Sequence, residues 1–445
     1  MDHPFLDRMK TFDEADAIVT DNVSVSYRGM LIQVAAWRSY LTSQGIQPGS
    51  VVVLECPTPT PAACAGLLAL IDLGAIIIPL SSLPAAKRQE FIEVAQAEVI
   101  ITVSEADRNC QRTGQRAAHA LYDKLRDAGR PGLVLFSSGT TGRSKASVLD
   151  FEKVLGRYGQ PKRPQRILSF LNLDHIGGIN TLLHTLSQGG AVITIADRSP
   201  DSVFAAVADH DVEVLPTTPT FLNMVLISGA LARHRTTSLQ LVTYGTEPMP
   251  LQTLQRLKTE LPQVRFKQTY GLSELGILPT RSRDDNTLWV RIGGAGFDYK
   301  IVDDVLWIRS GMAMLGYLNA SAPFDDEGYF NTQDVVQTDG PWIRILGRRS
   351  EIINVGGEKV YPSEVENVLL QVPNVAEVTV SGHPSPVTGM VVQAAVQVAE
   401  DEDEKAVRDR IREYCRGRLE PYKTPALVRV SGAPQHSERF KKIRG

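Results

Sequence analysis

Cysteine is scarce: four residues, Cys56, Cys64, Cys110 and Cys415, stand singly in a chain of 445. No CxxC pair and no metal-ligand spacing occurs, so they read as reduced, mostly buried thiols of a cytoplasmic protein. An excess of charge is also missing. The 47 basic residues nearly match the 50 acidic ones, and a net charge of -3 implies no nucleic-acid surface. Long apolar runs are lacking too. The longest, Cys64 to Leu80, contains Asp72 and Gly74 and is too short to span a bilayer comfortably, so no membrane span is expected. The first residues, MDHPFLDRMKTFDEADAIV, are charged throughout and lack the apolar h-region of a secretory signal. What remains is a globular chain too long for one core, with roughly two to four domains or subdomains expected.

The first part of the chain has a βαβ rhythm, hence a parallel sheet. Met30 to Gln44 is amphipathic, Ser50 to Glu55 strand-like, Pro61 to Leu73 helical and Ala75 to Leu80 strand-like, with Gly74 at the turn from helix to strand. Glu90 to Ile101 repeats the pattern. Ser104 to Gly132 is polar and basic without a strong motif, and is expected to lead across the surface. Then an apolar strand, Leu133 to Phe136, runs into Ser137-Ser138-Gly139-Thr140-Thr141-Gly142. Glycines let such a backbone curl into a nest of N–H donors. The hydroxyls add donors, and Arg143 and Lys145 add positive charge, which together suit a polyphosphate. It is not the ordinary phosphate loop, because Lys145 lies between Ser144 and Ala146 and not between Gly and Ser or Thr.

SSGTTGRSK resembles the signature of the adenylate-forming superfamily, which includes acyl- and aryl-CoA synthetases, peptide-synthetase adenylation domains and firefly luciferase. The resemblance implies that Ser137 to Gly142, with Lys145, hold the β- and γ-phosphates of ATP. Further matches follow in family order. After the strand-like Ile167 to Leu171 comes Asp174-His175-Ile176-Gly177-Gly178, then a helix ending before Gly189-Gly190. The family has an aromatic or His at the place of His175, closing the acyl pocket until ATP binds. In amino-acid-activating relatives an Asp comes next and pairs with the substrate ammonium. Ile176 cannot neutralise a buried ammonium, which makes an α-amino acid substrate unlikely; Asp174 is the only acid close by.

LQLVTYGTEPMP, turning at Gly245, resembles the adenine-binding loop, with Gly245, Thr246 and Glu247 as contacts. QTYGLSEL resembles YGxTE. There Tyr270, beside Gly271, stacks on adenine, Ser273 binds phosphate, and Glu274 coordinates Mg²⁺, a hard cation that takes carboxylate oxygen. Gly328 to Asp334 resembles GWFRTGD, which makes Asp334 the acceptor for both ribose hydroxyls; Gln333 replaces the usual Gly. ILGRRSEIINVGGEKVYPSEVE is the longest match. It assigns Arg348 to ribose or phosphate, Arg349-Ser350 to a hinge, and Gly356 and Gly357 to a narrow pantetheine tunnel. APQHSERFKKIRG resembles the closing PxTxxGKxxR. Lys441 matches the catalytic Lys because Arg444 follows at the family spacing, with Phe440 in place of Gly and Lys442 as the alternative.

The resemblance covers residues 24 to 444 and implies an α/β fold. A large N-terminal domain of two parallel-type α/β sheets and a small β-barrel subdomain (1–349) is followed by a small mobile α+β domain (350–445). It implies an ATP-dependent acid–CoA ligase with Lys441, Glu274 and His175 as catalytic residues, Glu274 as the metal ligand, and ATP, Mg²⁺ and CoA as cofactors. The acid expected is aryl or aliphatic. An acyl carrier protein is the alternative acceptor, a catalytically impaired nucleotide-binding module is the reading from another class, and a homodimer is left open.

Overall fold

Two seven-stranded sheets carry most of the chain, and the alternation of side chains decides which core each residue enters. The computed structural model describes residues 3–104, 107–137, 144–284, 287–432, 436–437, 440 and 442. One sheet runs in the order Gly316–Tyr317, Lys145–Asp150, Gly132–Ser137, Ile76–Leu80, Val51–Glu55, Val99–Val103, Arg108–Arg112. Its four middle strands, from Gly132–Ser137 to Val99–Val103, are parallel and the outer pairs antiparallel. Val52 and Ile77 enter the core between the sheets, whereas Val51, Val53, Ile76 and Ile78 enter a second core on the other face. That is why these strands read as unbroken apolar runs.

The other sheet runs Arg265–Gln268, Leu241–Tyr244, Val214–Thr217, Arg166–Leu168, Ala191–Ile193, Asp16–Val19, Ser24–Ser26, parallel except for the last pair. Helices Tyr27–Ser43, Pro61–Leu73 and Ile176–Ser187 share the central core with residues of both sheets. Helix Pro61–Leu73 has Pro at its first position, Thr60 Oγ1 accepting from the Ala63 N–H, and Gly74 closing it at φ +79°, the start and stop chemistry expected of it. At Gly66 a Cβ would lie 3.3 Å from the Trp37 ring, so the absent side chain lets this helix settle on its neighbour.

The stretch from Ser104 to Gly132 departs from expectation. It holds an antiparallel edge strand, Arg108–Arg112, and a helix, Ala120–Asp127, whose Tyr122 is fully buried and donates its hydroxyl to the Ala95 carbonyl at 2.7 Å. Leu121, Tyr122 and Leu125 span little more than one turn, too short a pattern to register in a polar background.

The barrel-like subdomain takes the form of a six-stranded antiparallel sheet in the order Thr280–Ser282, Val290–Ile292, Trp342–Arg348, Phe330–Asp339, Val305–Ser310, Phe297–Val302. Beyond the 3₁₀ turn Arg349–Glu351 a separate core forms from strands Ile353–Val355, Val375–Ser385, Gly389–Val398 and Leu427–Val430 with helices Pro362–Leu369 and Glu404–Cys415. Within the acidic run Glu400 to Glu404, the Asp403 carboxylate accepts from the Ala406 N–H and caps the last helix.

Candidate active site

Strands Gly132–Ser137 and Lys145–Asp150 pair so that Ser137 and Lys145 stand opposite each other, fixing both ends of the connecting loop. Ser138, Gly139, Thr140, Thr141 and Gly142 lie outside the described residues, as does Lys441. Asn319 secures the loop's return: its Nδ2 donates to the Ser144 carbonyl at 2.8 Å and its Oδ1 accepts from the Ala146 N–H at 3.1 Å. Glu274 sits against the Ser137 end. Its Oε1 accepts from the Tyr317 hydroxyl at 2.8 Å and from Ser137 Oγ at 3.3 Å. Burial and the neighbouring Glu274 push the Tyr317 phenol well above its usual range, so it stays a donor.

Glu274 is 7% exposed, and among the described residues no Lys or Arg forms an ion pair with it. A buried carboxylate in that state wants a cation, and one acidic ligand beside a phosphate-binding loop suits Mg²⁺, which takes most of its ligands from water and phosphate. Among the described residues no group of three or more His, Cys, Asp or Glu could hold a metal. The fit is therefore to a nucleotide-borne metal and not to a protein cage. Ser273 is half-buried next to Glu274.

Tyr270, Asp334 and Arg348, the residues expected at the nucleoside end, meet in the structure. The Tyr270 hydroxyl donates to Asp334 Oδ2 at 2.5 Å, and Arg348 Nε stands 3.5 Å from Asp334 Oδ1. Burial raises the Asp334 carboxyl above the ordinary aspartate value, while Arg348 and the Tyr270 hydrogen bond oppose that rise. The turn carrying Asp334 is closed by Asn331 Oδ1 accepting from the Gln333 N–H and Thr332 Oγ1 accepting from the Asp334 N–H. Gln333 keeps the left-handed backbone that a glycine there would adopt, φ +62°. The local turn survives the replacement, under strain. Gly271 and Gly245 are required by packing: a Cβ on Gly271 would meet Ile277 Cδ1 at 2.6 Å, and one on Gly245 the Thr269 carbonyl at 2.7 Å. Thr246 is exposed at φ +74°, and Glu247 Oε1 accepts from the Thr220 N–H at 2.8 Å.

These groups share one edge. Ser169-Phe170, Thr218, Gly245 and Thr269-Tyr270 all follow the carboxyl ends of adjacent parallel strands, where open α/β sheets bind ligands. Ser169 Oγ, Thr217 Oγ1, Thr220 Oγ1 and Gln268 Oε1, all at this edge, are buried without a partner among the described residues, as expected of a site built to receive polar ligand atoms. His175 caps helix Ile176–Ser187, its Nδ1 accepting from the Gly177 N–H at 3.0 Å. Ile176 is 3% exposed within the central core, and Asp174 accepts from Ser81 Oγ at 2.7 Å. A cavity of about 510 Å³ is lined by Gln268, Arg344, Tyr361, Glu364 and Asn367 among others, but by none of Tyr270, Glu274 or Asp334. It lies in the seam with helix Pro362–Leu369, apart from the residues expected to hold the nucleotide.

The end of the chain crosses this edge. The Phe440 carbonyl accepts from Thr218 Oγ1 at 2.8 Å, and the Lys442 N–H donates to Glu247 Oε2 at 3.3 Å. The Lys442 ammonium turns the other way, to Glu366 Oε2 and the Val378 carbonyl, both at 2.9 Å. Gly356 and Gly357 form the exposed tip between strands Ile353–Val355 and Glu358–Val360, at φ +61° and +99°. Sequence reasoning missed Tyr317, Asn319 and Glu366. Each acts on a partner far along the chain, and no local spacing marks it.

The chain matches the AMP-binding enzyme family over residues 5–318 and the AMP-binding enzyme C-terminal domain over 364–438. It belongs to that family and is an enzyme of the acid–thiol ligase class, with ATP, Mg²⁺ and CoA as cofactors. It is 26% identical to the 2-succinylbenzoate–CoA ligase of Bacillus licheniformis over 96% of this chain and 95% of that one. Its fold matches that of an anthranilate CoA ligase in complex with anthranoyl-AMP, with TM-score 0.82 at 16% identity over 99% and 95% of the two chains. It also matches the amide bond synthetase McbA of Marinactinospora thermotolerans, with TM-score 0.80 at 23% identity over 98% and 97%. No helix among the described residues is long and apolar enough to cross a membrane.

Proposed function

We propose that the chain activates an aryl or aliphatic carboxylic acid without an α-ammonium group as its acyl-adenylate, then transfers the acyl group to the thiol of CoA. The observation that carries this reading is the convergence of residues from three sheets: Ser137 donates to Glu274, Tyr270 donates to Asp334, and Glu274 lies near enough to Asp334 to add to the rise that burial gives its pKa. The acid's carboxylate oxygen forms a bond to the α-phosphorus of ATP and pyrophosphate leaves. Two anions must approach, so cations and donors have to offset their repulsion. Lys145 and the loop donors serve the leaving pyrophosphate, and Lys441 is assigned between carboxylate and α-phosphate. Mg²⁺ on Glu274 supplies further positive charge when bound, and the Tyr317 and Ser137 hydroxyls hold that carboxylate in place. Asp334 takes the ribose hydroxyls and Tyr270 the adenine face.

For thioester formation the thiol attacks the acyl carbonyl and AMP leaves. The boundary between domains is placed at Arg349-Ser350, within the turn Arg349–Glu351, about which the last domain turns to bring Gly356-Gly357 to the site. The substrate class is supported by Ile176, which offers an ammonium no counter-charge, and by Asp174, which is engaged with Ser81. Curated relatives that act on 2-succinylbenzoate and indoleacetate agree with an aromatic acid. The test is pyrophosphate release across a panel of benzoate-like acids, fatty acids and α-amino acids, followed by transfer to free CoA. Release with the amino acids equal to or better than with the others overturns the substrate class; no release with any acid overturns the function.

A further inference from the structure

One side chain on the site's edge has no counterpart in the family motif. Phe440 stands where that motif has Gly, directly before Lys441, yet it keeps a glycine-like backbone at φ +51°, which a residue with a Cβ rarely adopts. A tail that only had to deliver a lysine would be better served by glycine here. The ring is held instead by other aromatics. Its centroid lies 5.0 Å from that of Phe170 and 5.5 Å from that of Phe221, His436 stacks on it at 5.6 Å and 19°, and the Arg198 guanidinium lies 5.3 Å from its centre. These are the separations of attractive aromatic and cation–π contacts.

The partners locate the ring. Phe170 follows strand Arg166–Leu168 and Phe221 lies in the first turn of helix Pro219–Ser228, which leaves strand Val214–Thr217. Both are fully buried, at the carboxyl ends of adjacent parallel strands, and the Phe440 carbonyl is pinned there by Thr218 Oγ1. His175, at the start of helix Ile176–Ser187, and Gly245, after strand Leu241–Tyr244, are the residues assigned to the acid and the adenine. Phe440 is only partly buried, so its ring closes the Phe170–Phe221 surface without being enclosed by it. A partly open ring at the ligand-binding edge is a wall.

We propose that Phe440 is a specificity-determining residue that forms one wall of the acid pocket and limits the length of acid that can be activated. The wall is supplied by the C-terminal tail, so it is present during adenylation and withdraws with the tail before the thiol attacks. This rests on the reading of the chain as an acid-activating ligase.

The experiment compares wild type with Phe440→Leu, Phe440→Ala and Phe440→Gly. Pyrophosphate release is measured with unbranched acids from acetate to decanoate and with benzoate, phenylacetate and 4-phenylbutyrate. Thioester formation is measured from the corresponding preformed acyl-adenylates. As the side chain shrinks, kcat/KM for the longer acids should rise relative to the shorter ones, by about tenfold or more for each methylene of new space, with the KM for ATP unchanged. The thioester half-reaction should show the same size profile in every variant. A loss shared equally by all acids, with their ranking intact in Phe440→Leu, reduces the ring to packing and overturns the proposal. So does a size profile that shifts as much in the thioester half-reaction. If the flexible Phe440→Gly tail no longer docks, the Leu and Ala variants decide. Wild type that activates no acid overturns the ligase reading itself, and the wall with it.

Discussion

Lys442→Met is the sharpest probe of the crossing tail. The Lys442 ammonium lies 2.9 Å from Glu366 Oε2 and 2.9 Å from the Val378 carbonyl, with side chains 11% and 3% exposed. Removing one member of a buried pair costs about 3–5 kcal/mol because the other charge stays buried without its counter-ion, even where, as at Glu366, a backbone N–H (Val380, 2.9 Å) still donates to it. Here the tail can lift away and let water reach Glu366, so the lower end applies. About 3 kcal/mol corresponds to roughly a hundredfold fewer molecules with the tail docked. Adenylation, read by pyrophosphate exchange, should fall by about two orders of magnitude, while thioester formation from preformed acyl-adenylate stays near wild type. Glu366→Gln should carry the same signature. The double variant Lys442→Met/Glu366→Met should recover much of the loss, because an apolar pair of similar volume replaces a buried ion pair at little cost. Lys441→Ala, by contrast, should abolish adenylation whatever stands at Glu366. The reasoning is refuted if Glu366→Gln adenylates like wild type while Lys442→Met does not. Lys442 would then be the catalytic lysine, and the register set by Lys441 and Arg444 would be wrong.

Asp334→Asn should raise the KM for ATP by about tenfold or more, the worth of a hydrogen bond to a charged acceptor. Burial lifts the Asp334 pKa in the folded enzyme, with Tyr270, Arg348, Glu274 and Glu351 around it. Between the ordinary aspartate value and the raised folded value, the folded form therefore holds a proton that the unfolded chain releases. Asp334's stabilising contribution is full below the ordinary aspartate value and is lost as pH rises to the folded value, a slope in melting temperature against pH that Asp334→Asn should remove. Glu274→Gln should weaken Mg·ATP use far more than acid binding, and Tyr317→Phe should cost about 1 kcal/mol of the same function. Wild-type adenylation kinetics for Glu274→Gln at both limiting and saturating Mg²⁺ would count against its role. Gln333→Gly should raise stability by about 1 kcal/mol, because φ +62° strains any residue with a Cβ; a lower melting temperature would show that the Gln333 side chain makes compensating contacts.

The parts of this molecule legible in its sequence are those set by local chemistry. Helix Pro61–Leu73 was readable to both ends because Pro61 and Gly74 punctuate it. The parallel strands were readable because burial on both faces leaves unbroken runs such as Val51 to Leu54. Tyr270, Glu274 and Asp334 were readable through their resemblance to known motifs, and the structure brings them together on the sheet edge. What stayed hidden was long-range. Tyr317 reaches Glu274 because strand Gly316–Tyr317 pairs with Lys145–Asp150, far away along the chain. Glu366 only closes the longest motif match in the sequence, and the fold shows it receiving Lys442. Phe440 looked like a damaged glycine, yet its backbone is the glycine's and its ring has found partners of its own.

On the proposed function, the tail would also set an order of events. Phe440 and Lys442 lie over Thr218 and Glu247, so if acid and nucleotide meet at this edge, both would have to be in place before the tail lands. A mixed anhydride formed beneath it would be shut away from water, which would otherwise hydrolyse it and waste the nucleotide. If the rotation that lifts the tail is also the one that admits the thiol, entry of the second nucleophile and exposure of the reactive acyl group would be a single mechanical event, and fidelity against hydrolysis would be set by how briefly the edge stands open.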